Sequence, residues 1–295
     1  MGRQSARLYF QGKDHKDIYF NGHYHDQMYL SDGEGNVTLV WEKIKEGIFK
    51  FLIMPIDTFE FWVQGSMHID WGDGESSDFE GVGTIKKCRH SYTKSAKFMV
   101  QIRGDIQNIS FGLGTAENDL IEILTKFPKT MEKATGMAGL FSVNKNLERI
   151  PAGLFDNCPN VESFQSTFNG CSNIKEIPKG LFKNCPEAVQ FQQTFSRCSG
   201  LTSIPSDIFA DSINMSIFSE TFYDCFNLTY IPSGLFDGRP NVESFKRTFA
   251  YCRNVVSNVP ELWKTHGSTK EHAACFNGCD KAENFKDIPA SWYYE

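Results

Sequence analysis

Apolar residues in the second half of the chain recur with a period of 27 residues. The first four units read apolar-x-x-Ile-Pro-x-x-apolar-Phe, then a segment with a further Phe, then Thr-Phe-x-x-Cys. A fixed period of this length is the signature of stacked repeats, in which each unit buries its apolar edge only against its neighbours. The units begin at Leu147, Ile174, Leu201, Leu228 and Val255.

The residue types of one unit predict its local structure. The apolar-x-x-Ile segment predicts a short strand that stops at the proline, because proline has no N–H to donate. The segments around the two phenylalanines predict one helical turn each, with the rings turned inward. The end units are degenerate: Asn144 stands where a cysteine is expected, and Pro260 comes one residue late. The chain is therefore predicted to form an α/β solenoid over 113–295.

The cysteines follow the same period, which predicts a buried column that starts at Asn144. Side chains in one column point the same way rather than at each other, so we expect free thiols and not disulfides. No electropositive setting for a thiolate nucleophile is visible. Cys158 and Cys185 begin a second column, which continues with other residue types. The main column comprises Cys171, Cys198, Cys225, Cys252 and Cys279.

The region before the repeats has the signals of β-structure. Trp71-Gly72-Asp73-Gly74 is typical of a tight turn, because Asp-Gly pairs tolerate positive φ. After His90 and Tyr92, apolar and polar residues alternate from Lys97 to Arg103, which predicts a strand with one buried face. We expect a β-sandwich over 47–112 that docks on the N-terminal end of the repeats and covers it.

Residues 1–46 contain three Tyr-bearing units spaced ten residues apart and a strand at 37–43. The first unit, Leu8-Tyr9-Phe10-Gln11-Gly12, is similar to a protease-tag remnant, but its recurrence indicates a native sequence. Such a short meander does not hold a core alone, so it must pack on something. Nothing in the first 15 residues looks like a secretory signal.

Three groups of residues could be taken for metal sites, and we favour a simpler reading of each. Carboxylates in a tight turn are usually turn formers, and a His-x-His pair in a hairpin is usually exposed. The third group falls largely on repeat positions that other residue types hold elsewhere. The groups are Asp70, Asp73 and Glu75; His23 and His25; and His266, His272, Cys275 and Cys279.

The bulk composition narrows the function further. A net charge of −6 and a pI near 5.7 argue against a nucleic-acid partner. No apolar run approaches the roughly 20 residues that span a bilayer. No phosphate loop, nucleophile elbow or paired-carboxylate site is present in the sequence, so we predict no enzyme activity and no cofactor.

The motifs resemble known families. "VESFQSTFNGCSNIKEIP" and "VESFKRTFAYCRN" resemble BspA-type leucine-rich repeats and their M-F-x-x-C variant. "MHIDWGDGESS" followed by "RHSYTKSAKFMVQIRG" is similar to the PKD-type β-sandwich, and the Tyr-rich opening resembles N-terminal segments of phage and prophage tail proteins. These resemblances imply a non-enzymatic binding or adhesion scaffold.

The favoured functional hypothesis is a virion component, associated with a phage or prophage tail, that attaches to a host surface. Its partners would be a host-surface glycan or protein and, through 1–46, neighbouring virion proteins, with a homo-oligomer as a further option. The alternative is a bacterial cell-surface or secreted adhesin. The candidate binding residues are Arg149, Lys175, Thr202, Tyr223, Tyr230 and Tyr251.

Overall fold

The chain falls into two compact units, Met1–Glu46 and Gly47–Glu295. In the first unit, two short strands pair and three further strands form an antiparallel sheet in sequence order. These strands are β1 Tyr9–Phe10, β2 Lys13–Asp14, β3 Ile18–Phe20, β4 Gln27–Ser31 and β5 Val37–Glu42. The computed structural model describes residues 9–10, 13–14, 18–20, 27–31, 37–42, 48–112, 119–210 and 214–295. The predicted His23 and His25 pair lies outside these ranges.

The second unit begins with one five-stranded antiparallel sheet in the order β10-β6-β9-β7-β8. Its strands are β6 Ile48–Ile53, β7 Thr58–Asp70, β8 Ser76–Ser91, β9 Phe98–Ser110 and β10 Leu120–Ile123. Phe59, Phe61 and Val63 alternate with partly exposed residues along β7, so the sheet buries one face. The expected sandwich has two sheets, whereas this region has one. Its edge strand β10 comes from beyond the predicted boundary at residue 112.

The antiparallel pairing of β7 with β9 contains an irregularity. The register of the β7 and β9 pair shifts between Gln64 and Gly65. Gly65 has a φ of +128°, and a Cβ there would lie 1.8 Å from the carbonyl oxygen of Asp105. Only glycine fits this approach of two backbones, which is the usual meaning of a glycine inside a strand.

The predicted α/β leucine-rich-repeat solenoid is wrong. All extended sheets among the described residues are antiparallel, and the repeats add only isolated parallel bridges such as Ser163↔Gln190. In the part of the chain that the structure describes, helix is confined to α1 Leu262–Thr265, α2 Ala290–Tyr293 and the 3₁₀ segments Lys129–Lys133 and Phe285–Asp287. The repeats consist instead of stacked turns, which we call the repeat stack (136–295).

Backbone hydrogen bonds explain why these turns are neither helix nor strand. The N–H of Phe164 donates to Gln190 O at 2.8 Å and that of Ser166 to Gln192 O at 2.8 Å, both in the next repeat. The N–H of the next residue, Thr167, donates back to Phe164 O at 3.1 Å, and that of Phe168 donates again to the next repeat, to Thr194 O at 2.9 Å. Along this segment, successive backbone N–H groups thus donate alternately to the next repeat and to a residue of their own repeat. This requires a left-handed residue in each turn, such as Ser166 at φ 55°, which an α-helix does not contain.

Columns of identical side chains fill the interior of the repeat stack. Six phenylalanines stack with ring centroids 5.3 to 5.7 Å apart and interplanar angles of 16° or less. Beside them, the hydroxyls of four buried threonines lie within 2.9 Å of carbonyl oxygens of their own and the preceding turn. The phenylalanines are Phe141, Phe168, Phe195, Phe222, Phe249 and Phe276; the threonines are Thr167, Thr194, Thr221 and Thr248.

Both ends of this interior are covered. At the first end, Phe111 of the sheet region stacks on Phe141 with centroids 5.5 Å apart, so the expected docking of the β-region is confirmed. At the other end, the N–H of Ala274 donates to Tyr294 O and that of Phe276 to Trp292 O, each at 3.0 Å. The stretch from Trp292 to Tyr294 therefore lies antiparallel to the last turn, where a further repeat would otherwise stack.

Candidate binding surface

The repeat cysteines form a buried column in which each thiol donates to a backbone oxygen of the preceding turn. Cys171 Sγ lies 3.0 Å from Phe141 O, and Cys279 Sγ lies 3.4 Å from Phe249 O. Asn144 begins the column and donates to Phe141 O at 3.0 Å. Burial raises the pKa of Cys279 to about 12, so the thiol stays protonated at neutral pH. The intermediate members are Cys198, Cys225 and Cys252.

The remaining cysteines are also buried and form no disulfide bonds. Cys158 and Cys185 start the second column, and burial raises the pKa of Cys185 to about 12. A protonated, buried thiol is a poor nucleophile and a poor metal ligand. None of the nine cysteines therefore offers a catalytic thiolate.

The Trp71 turn is held by its own polar groups. Asp70 Oδ1 accepts the N–H of Gly72 at 3.0 Å, and Asp73 Oδ1 accepts that of Glu75 at 3.0 Å. Asp73 Oδ2 also lies 2.8 Å from His90 Nε2. Burial alone would raise the pKa of Asp73, but the hydrogen bonds from His90 and Glu75 outweigh it and hold this pKa below its ordinary value. Two carboxylates of the candidate cation site thus form the turn.

The aromatic residues after the turn complete the same structure. The His90 ring stacks on Trp71 with centroids 4.8 Å apart, and the Tyr92 hydroxyl donates to Trp71 O at 3.0 Å. No group of three or more metal-binding side chains occurs within the described ranges. The spacing of tryptophan, histidine and tyrosine in this motif serves packing.

The candidate zinc residues near the C-terminal end have separate structural contacts. His266 Nε2 lies 3.0 Å from Arg239 O, and His272 stacks on Trp292 with centroids 4.6 Å apart. Cys275 occupies the position that threonine holds in earlier repeats, and Cys279 ends the cysteine column. The structure does not bring these four side chains together as ligands.

Two predicted binding residues line a cleft near the start of the repeat stack, which we call the N-terminal cleft. Its volume is about 590 Å³, and Arg149 and Lys175 lie beside the acidic residues Glu148 and Glu176. Arg149 Nη1 is 3.2 Å from Glu122 Oε1, which anchors the guanidinium. Charges of opposite sign thus alternate along this surface. Thr202 and Tyr230 are exposed further along the stack.

The other two predicted residues belong to the opposite end of the stack. Tyr251 lines a cleft of about 810 Å³, which we call the C-terminal cleft. The Tyr223 ring packs edge-on against the Tyr251 ring, with the ring centroids 5.3 Å apart. The six candidates are therefore divided between two clefts and an exposed stretch, not joined in one site.

Sequence reasoning missed two aromatic residues of the C-terminal cleft. Phe226 is 42% exposed and lies at a repeat position held elsewhere by Lys145, Ser172 and Ser199, so an apolar residue among polar equivalents was the available signal. Tyr293 comes from the irregular C-terminal segment and has no repeat register that could have indicated it.

A scan against protein-family models finds no match for this chain, and a search among curated proteins finds no similar sequence. The family resemblances noted in the sequence remain expectations. Among the described residues, no helix has the length and apolar character needed to cross a membrane.

Proposed function

We propose that this protein is a non-catalytic binding protein whose repeat stack presents a varied surface on a uniform interior. The observation that carries the proposal is the contrast between columns. Inside, phenylalanine, threonine and cysteine recur from repeat to repeat. Outside, one column reads Val143, Gly170, Arg197, Asp224, Tyr251 and Gly278, and another reads Glu148, Lys175, Thr202, Thr229 and Val256.

This contrast favours recognition over a purely structural role. Stacking alone requires only the interior residues and the backbone hydrogen bonds between turns. A surface whose residue types vary along the stack offers a distinct set of charges, hydrogen-bond groups and rings to a partner. Exposed aromatic side chains such as Tyr230, at 51% exposure, supply contact area at low cost in conformational entropy.

The setting we propose is a virion, in which 1–46 anchors the protein and the second unit faces a host surface. The separation of the chain into two compact units supports a division of roles between anchor and display. The second candidate setting is a bacterial cell-surface or secreted adhesin. In its favour, the second unit has a continuous core and both ends of its repeat stack are covered, so it needs no neighbour to be stable.

Binding of labelled full-length protein to intact bacterial cells tests the function itself. We expect saturable binding that unlabelled protein displaces and that the heat-unfolded protein lacks. Absence of saturable binding to every strain in a broad panel would contradict the proposal.

Solution mass then separates the two settings. Light scattering of the full chain and of Gly47–Glu295 should give an oligomer that becomes a monomer on truncation if residues 1–46 are an assembly anchor. Monomers in both cases would favour the adhesin and refute the anchor.

A further inference from the structure

The C-terminal cleft has the dimensions of a small-molecule site. Its volume of about 810 Å³ falls within the roughly 300 to 1,000 Å³ of ordinary ligand pockets. Residues of three successive turns line it, together with Tyr293 from the covering segment. A protein partner would instead need a broad surface of about 800 Å² on each side. The cleft is open to solvent, so its size suits a small ligand that stays partly exposed when bound.

Aromatic residues form part of the lining of the cleft. Tyr251 lies close to Gly278 of the next turn, where an added Cβ would come within 3.4 Å of Tyr251 Cδ1, and the Arg253 guanidinium lies over the Tyr251 ring, 5.4 Å from its centroid. Phe226 and Tyr293 add two further rings to the lining. Such rings offer flat apolar faces, and Tyr251 also has a hydroxyl that can hydrogen-bond, whereas the Tyr293 hydroxyl already donates to Asp280.

The rest of the lining is polar and electrically balanced. It includes two carboxylates, Asp224 and Asp280, and two cations, Arg253 and Lys281, so the formal charges of the lining cancel. Lys281 Nζ donates to the amide oxygen of Asn254 at 2.7 Å, which leaves the amide N–H groups of that side chain available. The lining thus provides donors and acceptors in similar number.

A ligand for this cleft must match both the aromatic rings and the polar groups of the lining. A strongly charged ligand would meet a group of its own sign, and an apolar ligand would leave buried donors and acceptors unpaired at a cost of about 1–3 kcal/mol each. A sugar ring has apolar C–H faces and a rim of hydroxyls that both donate and accept. We propose that the C-terminal cleft binds a neutral oligosaccharide, an inference that rests on the proposed binding function.

The test uses the full chain on an array of neutral di- to tetrasaccharides of hexoses and N-acetylhexosamines, with calorimetric titration of any hit. Tyr251→Asn removes the ring while keeping a residue type that tolerates the φ of 64° at this position. We expect affinity to fall at least about tenfold, the equivalent of 1.4 kcal/mol. Tyr251→Phe should retain binding within about threefold, because the ring is kept.

Two further variants complete the design. Arg253→Ser installs the residue found at equivalent positions Ser172 and Ser199, and should also weaken binding without changing the melting temperature. The control is Ile56→Ser, which removes an apolar side chain that is 68% exposed in the β-region, outside the cleft and outside the candidate binding residues; affinity should not change.

Other outcomes would overturn the inference. Binding of anionic glycans only, or equal loss in Ile56→Ser and Tyr251→Asn, would exclude a neutral-sugar site in this cleft. If the full chain binds cells but no glycan of the array, this inference is refuted and the proposed function stands. A protein ligand would then be favoured over a glycan. Absence of both kinds of binding would refute both.

Discussion

Substitution of one interior phenylalanine tests whether the aromatic column stabilises the repeat stack. Phe195 is fully buried, and its ring stacks on Phe168 at 5.3 Å and on Phe222 at 5.7 Å between centroids. Phe195→Ala removes a buried aromatic side chain, which typically costs about 3–5 kcal/mol in the free energy of unfolding. Each lost aromatic pair adds about 0.5–1.5 kcal/mol beyond the buried area. We therefore expect a loss in the upper part of the 3–5 kcal/mol range.

The assay is urea unfolding of the Gly47–Glu295 unit, which contains the whole described core cluster. The matched control is Phe226→Ala, the same substitution at a repeat phenylalanine that is 42% exposed, where the loss should stay within about 0.5 kcal/mol. A loss below about 1 kcal/mol for Phe195→Ala would refute the reasoning, because it would mean that the column is not tightly packed. A decreased m-value would instead show that the stack unfolds in two parts.

Three further predictions concern other parts of the molecule. Asp73→Asn should lower the urea midpoint at pH 7 but much less at about pH 3. The pKa of Asp73 is depressed in the folded state, so its carboxylate stabilises the fold above the unfolded pKa of about 3.9, and this stabilisation is lost as the pH falls through the folded pKa. Equal losses at both pH values would contradict this. Trp292→Ala should loosen the segment that covers the last turn, so that Gly47–Glu295 associates in a concentration-dependent way when its mass is measured by light scattering. An unchanged monomer mass and melting temperature would argue against a covering role. A thiol-reactive aromatic disulfide should modify no cysteine of the native protein within minutes but all nine cysteines of the denatured protein. Rapid labelling of the native protein would contradict the burial of the cysteine columns.

The 27-residue period was sufficient to predict which side chains share a column. Equivalent phenylalanines and cysteines do lie above one another, because stacking of equal-length turns aligns equal positions. The period did not reveal the backbone conformation within a turn. Apolar spacing alone suggested helical turns, but residues such as Ser166 and Gln193 adopt positive φ without being glycine or asparagine, so their residue types gave no warning.

The site was harder to predict than the interior. Tyr251 was predicted as a binding residue from its position beside the cysteine column, but the cleft around it depends on chain segments far apart in sequence. Gly278 matters there through the side chain it lacks, and Tyr293 arrives from an irregular segment. The β-region shows a similar limit, since β10 joins the sheet from beyond residue 112 and the alternation in β9 does not specify whether one sheet or two will form.

The most direct test of the central claim is a titration of labelled Gly47–Glu295 against intact bacterial cells that bind the full chain. If the varied exterior of the repeat stack recognises the surface, this unit alone should bind saturably, with an affinity per molecule close to that of a full-length monomer. If binding requires residues 1–46 and the isolated second unit shows none, the recognition surface is not on the repeat stack and the account is wrong.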